Sequence, residues 1–121
     1  MENKEILIMP FKGKGHLKVT FVDGKIVDEP KVVDSFVNAI RHIAELTSYE
    51  TIIKLDIEHD ELPLIGKTTY GDHAVRIVGK SPQYRLLTGM PHPQKAEIIK
   101  EIVKRLDIDA TIEWEVIDNK K

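Results

Sequence analysis

Residues 17–27 read LKVTFVDGKIV, and this stretch decides the fold class. In its first half, apolar residues alternate with lysine and threonine, which is the pattern of a strand with one face in the core. The dipeptide Asp23-Gly24 follows, as in many tight turns, and a second short apolar run comes after it. The stretch therefore predicts an antiparallel hairpin.

Outward from this hairpin, hydrophobic spacing predicts two amphipathic helices. The first begins near Pro30 and runs to about Ser48, and the second begins after residues 90–93 and ends near Leu106. Alternating or short apolar runs predict further strands at 6–11, 53–57, 74–78, 84–88 and 112–116, with an irregular strand around 64–65. A turn-forming Gly-Lys-Ser-Pro connection makes the strands at 74–78 and 84–88 a second hairpin.

These elements predict one α+β domain over residues 1–121. Its strands alternate and its helices each have one apolar side, so we expect a mainly antiparallel sheet of about five to seven strands. Both helices would pack on one face of that sheet. The other face would then be polar or would bind a partner.

Composition excludes several classes of function. The chain has 121 residues, a net charge of −2 and no cysteine, which rules out disulfides, thiolate metal sites and cysteine nucleophiles. The slight acidic excess removes the general attraction to phosphates and so disfavours nucleic acid as a partner. No apolar run is long enough to span a membrane and no export signal is visible, so we expect a cytoplasmic protein.

The loop at residues 67–73 carries the densest set of chemically useful side chains. Lys67, Thr69 and Tyr70, together with Arg85 further along the chain, could position an anionic substrate, and His73 could act as a general base. His92 precedes the second helix, where the helix dipole disfavours a protonated ring and favours a neutral hydrogen-bonding role. The alternative interpretation is that residues 67–73 are only a hydrophilic connection and that His92 only marks the start of a helix.

Three other patterns concern anions and cations. Lys12 and Lys14 lie in a glycine-spaced loop that could cradle a phosphate, but such loops are commonly plain connections. Residues 66–69 resemble the end of a P-loop without its leading glycine. The acidic residues at 56–61 favour a solvated face over a metal site, so no cofactor is predicted.

Two functions follow from these observations. The leading hypothesis is a non-catalytic binding or assembly module that forms a homodimer, or docks a protein partner, through its open sheet face or an edge strand. The alternative is a small acid–base or hydrolase-type enzyme that acts on an anionic small molecule through His73 and His92. A weaker third hypothesis is RNA or nucleotide recognition on the sheet.

Overall fold

The computed structural model describes residues 14–67, 70–80 and 82–117. It contains eight strands and three helices within those ranges. In chain order they are β1 (Lys14–Phe21), β2 (Ile26–Asp28), α1 (Val32–Leu46), α2 (Tyr49–Ile53), β3 (Glu58–His59), β4 (Leu62–Pro63), β5 (Ile65–Gly66), β6 (Val75–Val78), β7 (Tyr84–Leu87), α3 (His92–Arg105) and β8 (Ala110–Ile117). The strand predicted at 6–11 lies outside the described residues.

The hairpin predicted from residues 17–27 is confirmed and forms the centre of the largest sheet. Its strand order is β2-β1-β8, and both pairings are antiparallel. Leu17 and Val19 on β1 are fully buried beneath α1, while α3 packs against β8. The apolar residues of the three strands thus face two helices, as the alternation predicts.

Trp114 of β8 covers a glycine on the neighbouring strand. Gly15 on β1 pairs with Val116, and a Cβ atom at Gly15 would overlap the six-membered ring of Trp114. The indole is largely buried there, so it fills the space that a side chain at position 15 would otherwise take. Glycine is therefore required at position 15 by the close approach of the ring.

Helix α1 is confirmed close to its predicted limits. Phe36, Ile40 and Ile43 recur at helical spacing and are completely buried. The helix ends at Thr47, whose main-chain N–H and side-chain hydroxyl both donate to the oxygen of Ile43. Thr47 itself has a φ of −129° and a ψ of −103°, which are not helical values, so the helix does not continue into Ser48.

The strand predicted at 53–57 is wrong. The chain there forms the short helix α2 and then two turns, with Asp56 at a φ of 58°. Ser48 caps α2 by accepting a hydrogen bond from the N–H of Thr51 at 3.0 Å. Local capping therefore prevails over the apolar alternation, although that alternation correctly identifies which side chains are half-buried.

The second hairpin is confirmed, but the expectation of one sheet of five to seven strands is wrong. Strands β5, β7 and β6 form a separate three-stranded sheet, and β3 pairs only with β4 within the described ranges. Arg41 of α1 donates to the main-chain oxygen of Ile77 in β6 at 3.2 Å, and Arg76 of β6 pairs with Asp34 of α1 at the same distance. Because α1 covers the β6 edge in this way, that sheet stops there.

Helix α3 begins at His92, within the 90–93 segment that the sequence analysis places just before the helix, and it ends in a Schellman motif. The N–H of Ile108 donates to the oxygen of Val103 at 2.9 Å, and the N–H of Asp107 donates to that of Lys104 at 3.3 Å. Asp107 has a φ of 58°, a conformation that glycine usually provides. The chain then turns directly into β8.

Replacing Glu61 by glycine is expected to stabilise the protein by about 1 kcal/mol, because Glu61 is in a left-handed conformation that penalises a Cβ atom. Asp60 and Glu61 form the two-residue turn between β3 and β4, with φ values of 54° and 65°. Asp-Gly is the preferred sequence for such a turn. Urea denaturation measures the change. Glu58→Gly, in the adjacent strand, should be destabilising, and a gain of the same size there would contradict the explanation.

Candidate functional site

A groove runs between β2 and α1 and has a volume of about 140 Å³. One wall is formed by the β2 segment and the other by a helical stripe at positions i, i+3, i+4 and i+7 of α1. The lining residues are Lys25, Ile26, Val27 and Glu29 on the strand side, and Asn38, Arg41, His42 and Glu45 on the helix side. The groove therefore lies directly beside a strand edge.

One end of the groove is fixed by His42. This residue is 9% exposed, with its Nε2 atom 2.8 Å from Oδ2 of Asp23 and its Nδ1 atom 3.2 Å from Oε1 of Glu45. Its ring also stands edge-on to Phe21 at 4.6 Å. A hydrogen bond from the main-chain N–H of Lys25, and then the bond to His42, lower the pKa of Asp23. The β1–β2 turn is thereby tied to α1.

The other end is held by Glu29. Its main-chain N–H donates to Oγ of Ser35 at 2.9 Å, and its carboxylate accepts a hydrogen bond from Nδ2 of Asn38 at 3.2 Å. Arg41 donates to Oδ1 of Asn38 at 3.4 Å as well as to Ile77 in β6. The polar side chains on the helix wall are therefore held in one arrangement.

The outer edge of β2, the one away from β1, presents main-chain hydrogen-bonding groups toward the groove side. Phe21 donates to the oxygen of Lys25 at 2.8 Å, so the alternation of an antiparallel ladder directs the groups of Val27 toward β1 and those of Ile26 and Asp28 away from it. No strand in the described part of the chain pairs with β2 on that outer side. Ile26 is 55% exposed there, and the Lys25 side chain has no described ion-pair partner.

Two of the predicted binding residues come together elsewhere, beside α2. Arg85 donates to the main-chain oxygen of Lys67 at 3.2 Å. The Lys67 ammonium lies 3.8 Å from the Glu50 carboxylate, which also accepts a 2.7 Å hydrogen bond from the Tyr84 hydroxyl. This bond, followed by burial, raises the pKa of Tyr84. The charge of Lys67 is thus already countered within the fold.

Tyr70 and His73 are arranged locally. The Tyr70 hydroxyl donates to the oxygen of Pro63 at 2.8 Å, and burial raises its pKa. Nδ1 of His73 lies 3.1 Å from the oxygen of Tyr70. Within the described ranges, neither a carboxylate nor His92 hydrogen-bonds to the His73 ring. The structure therefore does not join the two histidines that the enzyme hypothesis pairs.

His92 lies beside a buried lysine that the sequence interpretation missed. Lys95 is 2% exposed, donates to the oxygen of Met90 at 2.7 Å and has its Nζ atom 3.4 Å from Nδ1 of His92. Burial lowers the pKa of Lys95 to about 8. Partial burial, and then the Lys95 charge, lower the pKa of His92 and so favour its neutral ring. Lys95 stands four residues before the buried Ile99, so both lie on the same face of the helix. This spacing was the signal in the sequence that Lys95 would be buried.

The side chains of three further predicted binding residues are not described. Lys12 and Thr69 lie outside the described residues, and Lys14 is described only as part of the β1 backbone. Among the described residues, no group of three or more histidine, aspartate and glutamate side chains could hold a metal ion. The acidic residues at 56–61 are spread over an irregular stretch, the short strand β3 and the turn at 60–61.

No protein-family model, curated protein or solved structure matches the chain. None of the helices in the described ranges is long and apolar enough to cross a membrane.

Proposed function

We propose that the protein is a non-catalytic binding module that accepts an extended protein segment along the outer edge of β2, in the groove beside α1. The observation that carries this proposal is the juxtaposition of a strand edge and a groove. The main-chain groups of Ile26 and Asp28 are directed toward an added strand, and the groove gives that strand's side chains a place to lie.

The polar arrangement of the groove supports binding over chemistry. Asn38 and Glu29 bond to each other, and His42 bonds to two carboxylates, so these groups stabilise the walls. Main-chain hydrogen bonds from the edge would supply affinity to an added strand, while Lys25 and Glu29 would select its side chains. The preferred strand has an acidic residue opposite Lys25 and a basic residue opposite Glu29.

The test uses the full chain labelled with ¹⁵N and a capped pentapeptide probe, Lys-Thr-Val-Thr-Glu. Paired antiparallel to residues 25–29, this probe sets its lysine opposite Glu29 and its glutamate opposite Lys25. We expect the probe to slow hydrogen exchange at the amides of Ile26 and Asp28. If the sample self-associates, these amides should already exchange slowly without the probe and should exchange rapidly after dilution. The charge-reversed probe Glu-Thr-Val-Thr-Lys is the matched control and should bind several-fold more weakly.

Two results would overturn the proposal. One is a monomer whose Ile26 and Asp28 amides exchange rapidly with and without the probe. The other is a monomer in which both amides stay protected at every dilution and in the absence of probe, because the chain itself would then occupy the edge.

A further inference from the structure

We infer that the segment bound at the β2 edge belongs to a second copy of this chain, paired antiparallel about a two-fold axis at Val27. This inference rests on the proposed function and names its partner. The pairing would join two three-stranded sheets into one continuous six-stranded sheet, in the order β8-β1-β2 and then β2-β1-β8 of the partner copy.

Main-chain geometry favours the register centred on Val27. Ile26 then faces Asp28 of the partner subunit, and these are the residues whose N–H and C=O groups point outward from each copy. Pro30 follows at once and has no N–H to donate, so the pairing is confined to residues 25–29. Ile26 would also come within reach of the partner's Ile26 on the diagonal, which covers an exposed apolar side chain.

Charge selects the same register. With the axis at Val27, Lys25 lies opposite Glu29 of the partner subunit, and symmetry repeats this pair on the other side of the axis. An axis at Asp28 would instead place Asp28 opposite the partner's Asp28, which is repulsive. An axis at Ile26 would place Lys25 opposite the partner's Val27, so Lys25 would have no oppositely charged residue across from it.

The other strand edges are less suited to self-association. Antiparallel pairing of β8 with a second β8, centred on Glu113, Trp114 or Glu115, sets one of these glutamates opposite a glutamate of the partner copy. The β6 edge is covered by Arg41 of α1. Of the β2, β8 and β6 edges, β2 is therefore the one whose own charges complement those of a second copy.

The positions of the helices are compatible with this dimer. Neighbouring strands lie about 4.8 Å apart, so the two-fold axis would stand about 2.4 Å beyond β2. Helix α1 packs over β1 and β2, which places it about one strand spacing from the axis. The two copies of α1 would then be about 10 Å apart, a normal distance for packed helices, with the groove stripes facing each other.

The experiment measures the mass of the native protein and its charge-swapped variants by native mass spectrometry and sedimentation. We expect the wild type to dimerise, and Lys25→Glu or Glu29→Lys to weaken the dimer by about 30-fold, because each swap makes both cross-strand pairs like-charged. The double variant Lys25→Glu/Glu29→Lys should restore the dimer. An equimolar mixture of the two single variants should form heterodimers, since each pair is then complementary. Glu97→Lys on α3 is the control and should dimerise like the wild type.

The outcomes separate this inference from the proposed function. A wild-type monomer whose Ile26 and Asp28 amides are protected by the pentapeptide probe would overturn the second-copy assignment and leave the binding module intact. A dimer unaffected by either single swap, with both amides exchanging rapidly, would overturn both. Loss of the dimer in each single variant without recovery in the double variant or the mixture would overturn the Val27 register.

Discussion

Replacing Lys95 by methionine is expected to increase the free energy of unfolding at pH 7 by about 2 kcal/mol. The pKa of Lys95 falls from 10.5 to about 8. That decrease corresponds to about 3 kcal/mol against the protonated amine in the folded state. Leaving the Met90 oxygen without its hydrogen bond costs about 1 kcal/mol of this gain. Methionine fills a similar volume beside Phe36 without a charge.

The pH dependence gives an independent measure of the same effect. Between pH 8 and pH 10.5 the unfolded chain holds the Lys95 proton and the folded chain has released it. Stability from this residue therefore rises with pH across that window. Urea denaturation at pH 7 and pH 10 should show a smaller increase in Lys95→Met than in the wild type. Lys104→Met, exposed on the same helix, should keep the wild-type increase. A methionine variant less stable than the wild type at pH 7 would contradict the burial argument.

Replacing Gly15 by alanine is expected to decrease the free energy of unfolding by about 2 kcal/mol, because the new methyl group overlaps the ring of Trp114 and forces it outward. Trp114 is the chain's one tryptophan, so its emission reports this movement directly. We expect a red shift in the folded variant together with the loss of stability in urea.

Two comparisons identify the ring as the cause. Gly89→Ala adds the same methyl group where it meets Ala74 at an ordinary 3.6 Å or more, and it should be nearly neutral. In a Trp114→Val background, Gly15→Ala should cost much less than in the wild type, which is a coupling that a double-mutant cycle measures. Equal costs in both backgrounds would show that the strand backbone, and not the indole, requires glycine.

The sequence predicts the elements whose signals are local. The turn at Asp23-Gly24 and the alternation around it define the first hairpin, and the spacing of Phe36 and Ile40 defines α1. By contrast, the split into separate sheets depends on which strands pair and on contacts between distant residues, such as Arg41 with Ile77, 36 positions apart. No local pattern reports such a contact. At residues 53–57 the sequence correctly predicts which side chains are half-buried. It wrongly predicts a strand, because the Ser48 cap favours a helical turn in the preceding backbone.

The candidate site was predicted only in outline. An edge strand as the binding element follows from the alternation, but the choice of β2 depends on which strands pair, and the groove depends on where α1 lies over the sheet. His42 sits between the buried residues of α1, and its partner Asp23 belongs to a turn 19 positions away. The residues at 67–73 gave a richer chemical pattern, yet the Lys67 ammonium is already paired with Glu50 of α2 and the His73 ring contacts the main-chain oxygen of Tyr70.

The pairing of β1 with β8 has a consequence for synthesis of the chain. Phe21 and Ala110 are partners, although 89 positions separate them. At about 5 to 20 residues per second, a ribosome needs roughly 4 to 18 s to make the intervening segment. During that interval β1 has β2 on one side and an unfilled position on the other, so the nascent hairpin exposes an apolar strand edge. Chaperone binding to nascent chains that are arrested on a C-terminal extension long enough to fill the exit tunnel should therefore be strong while β8 is still inside the tunnel. It should fall in longer arrested chains, in which β8 (Ala110–Ile117) has emerged.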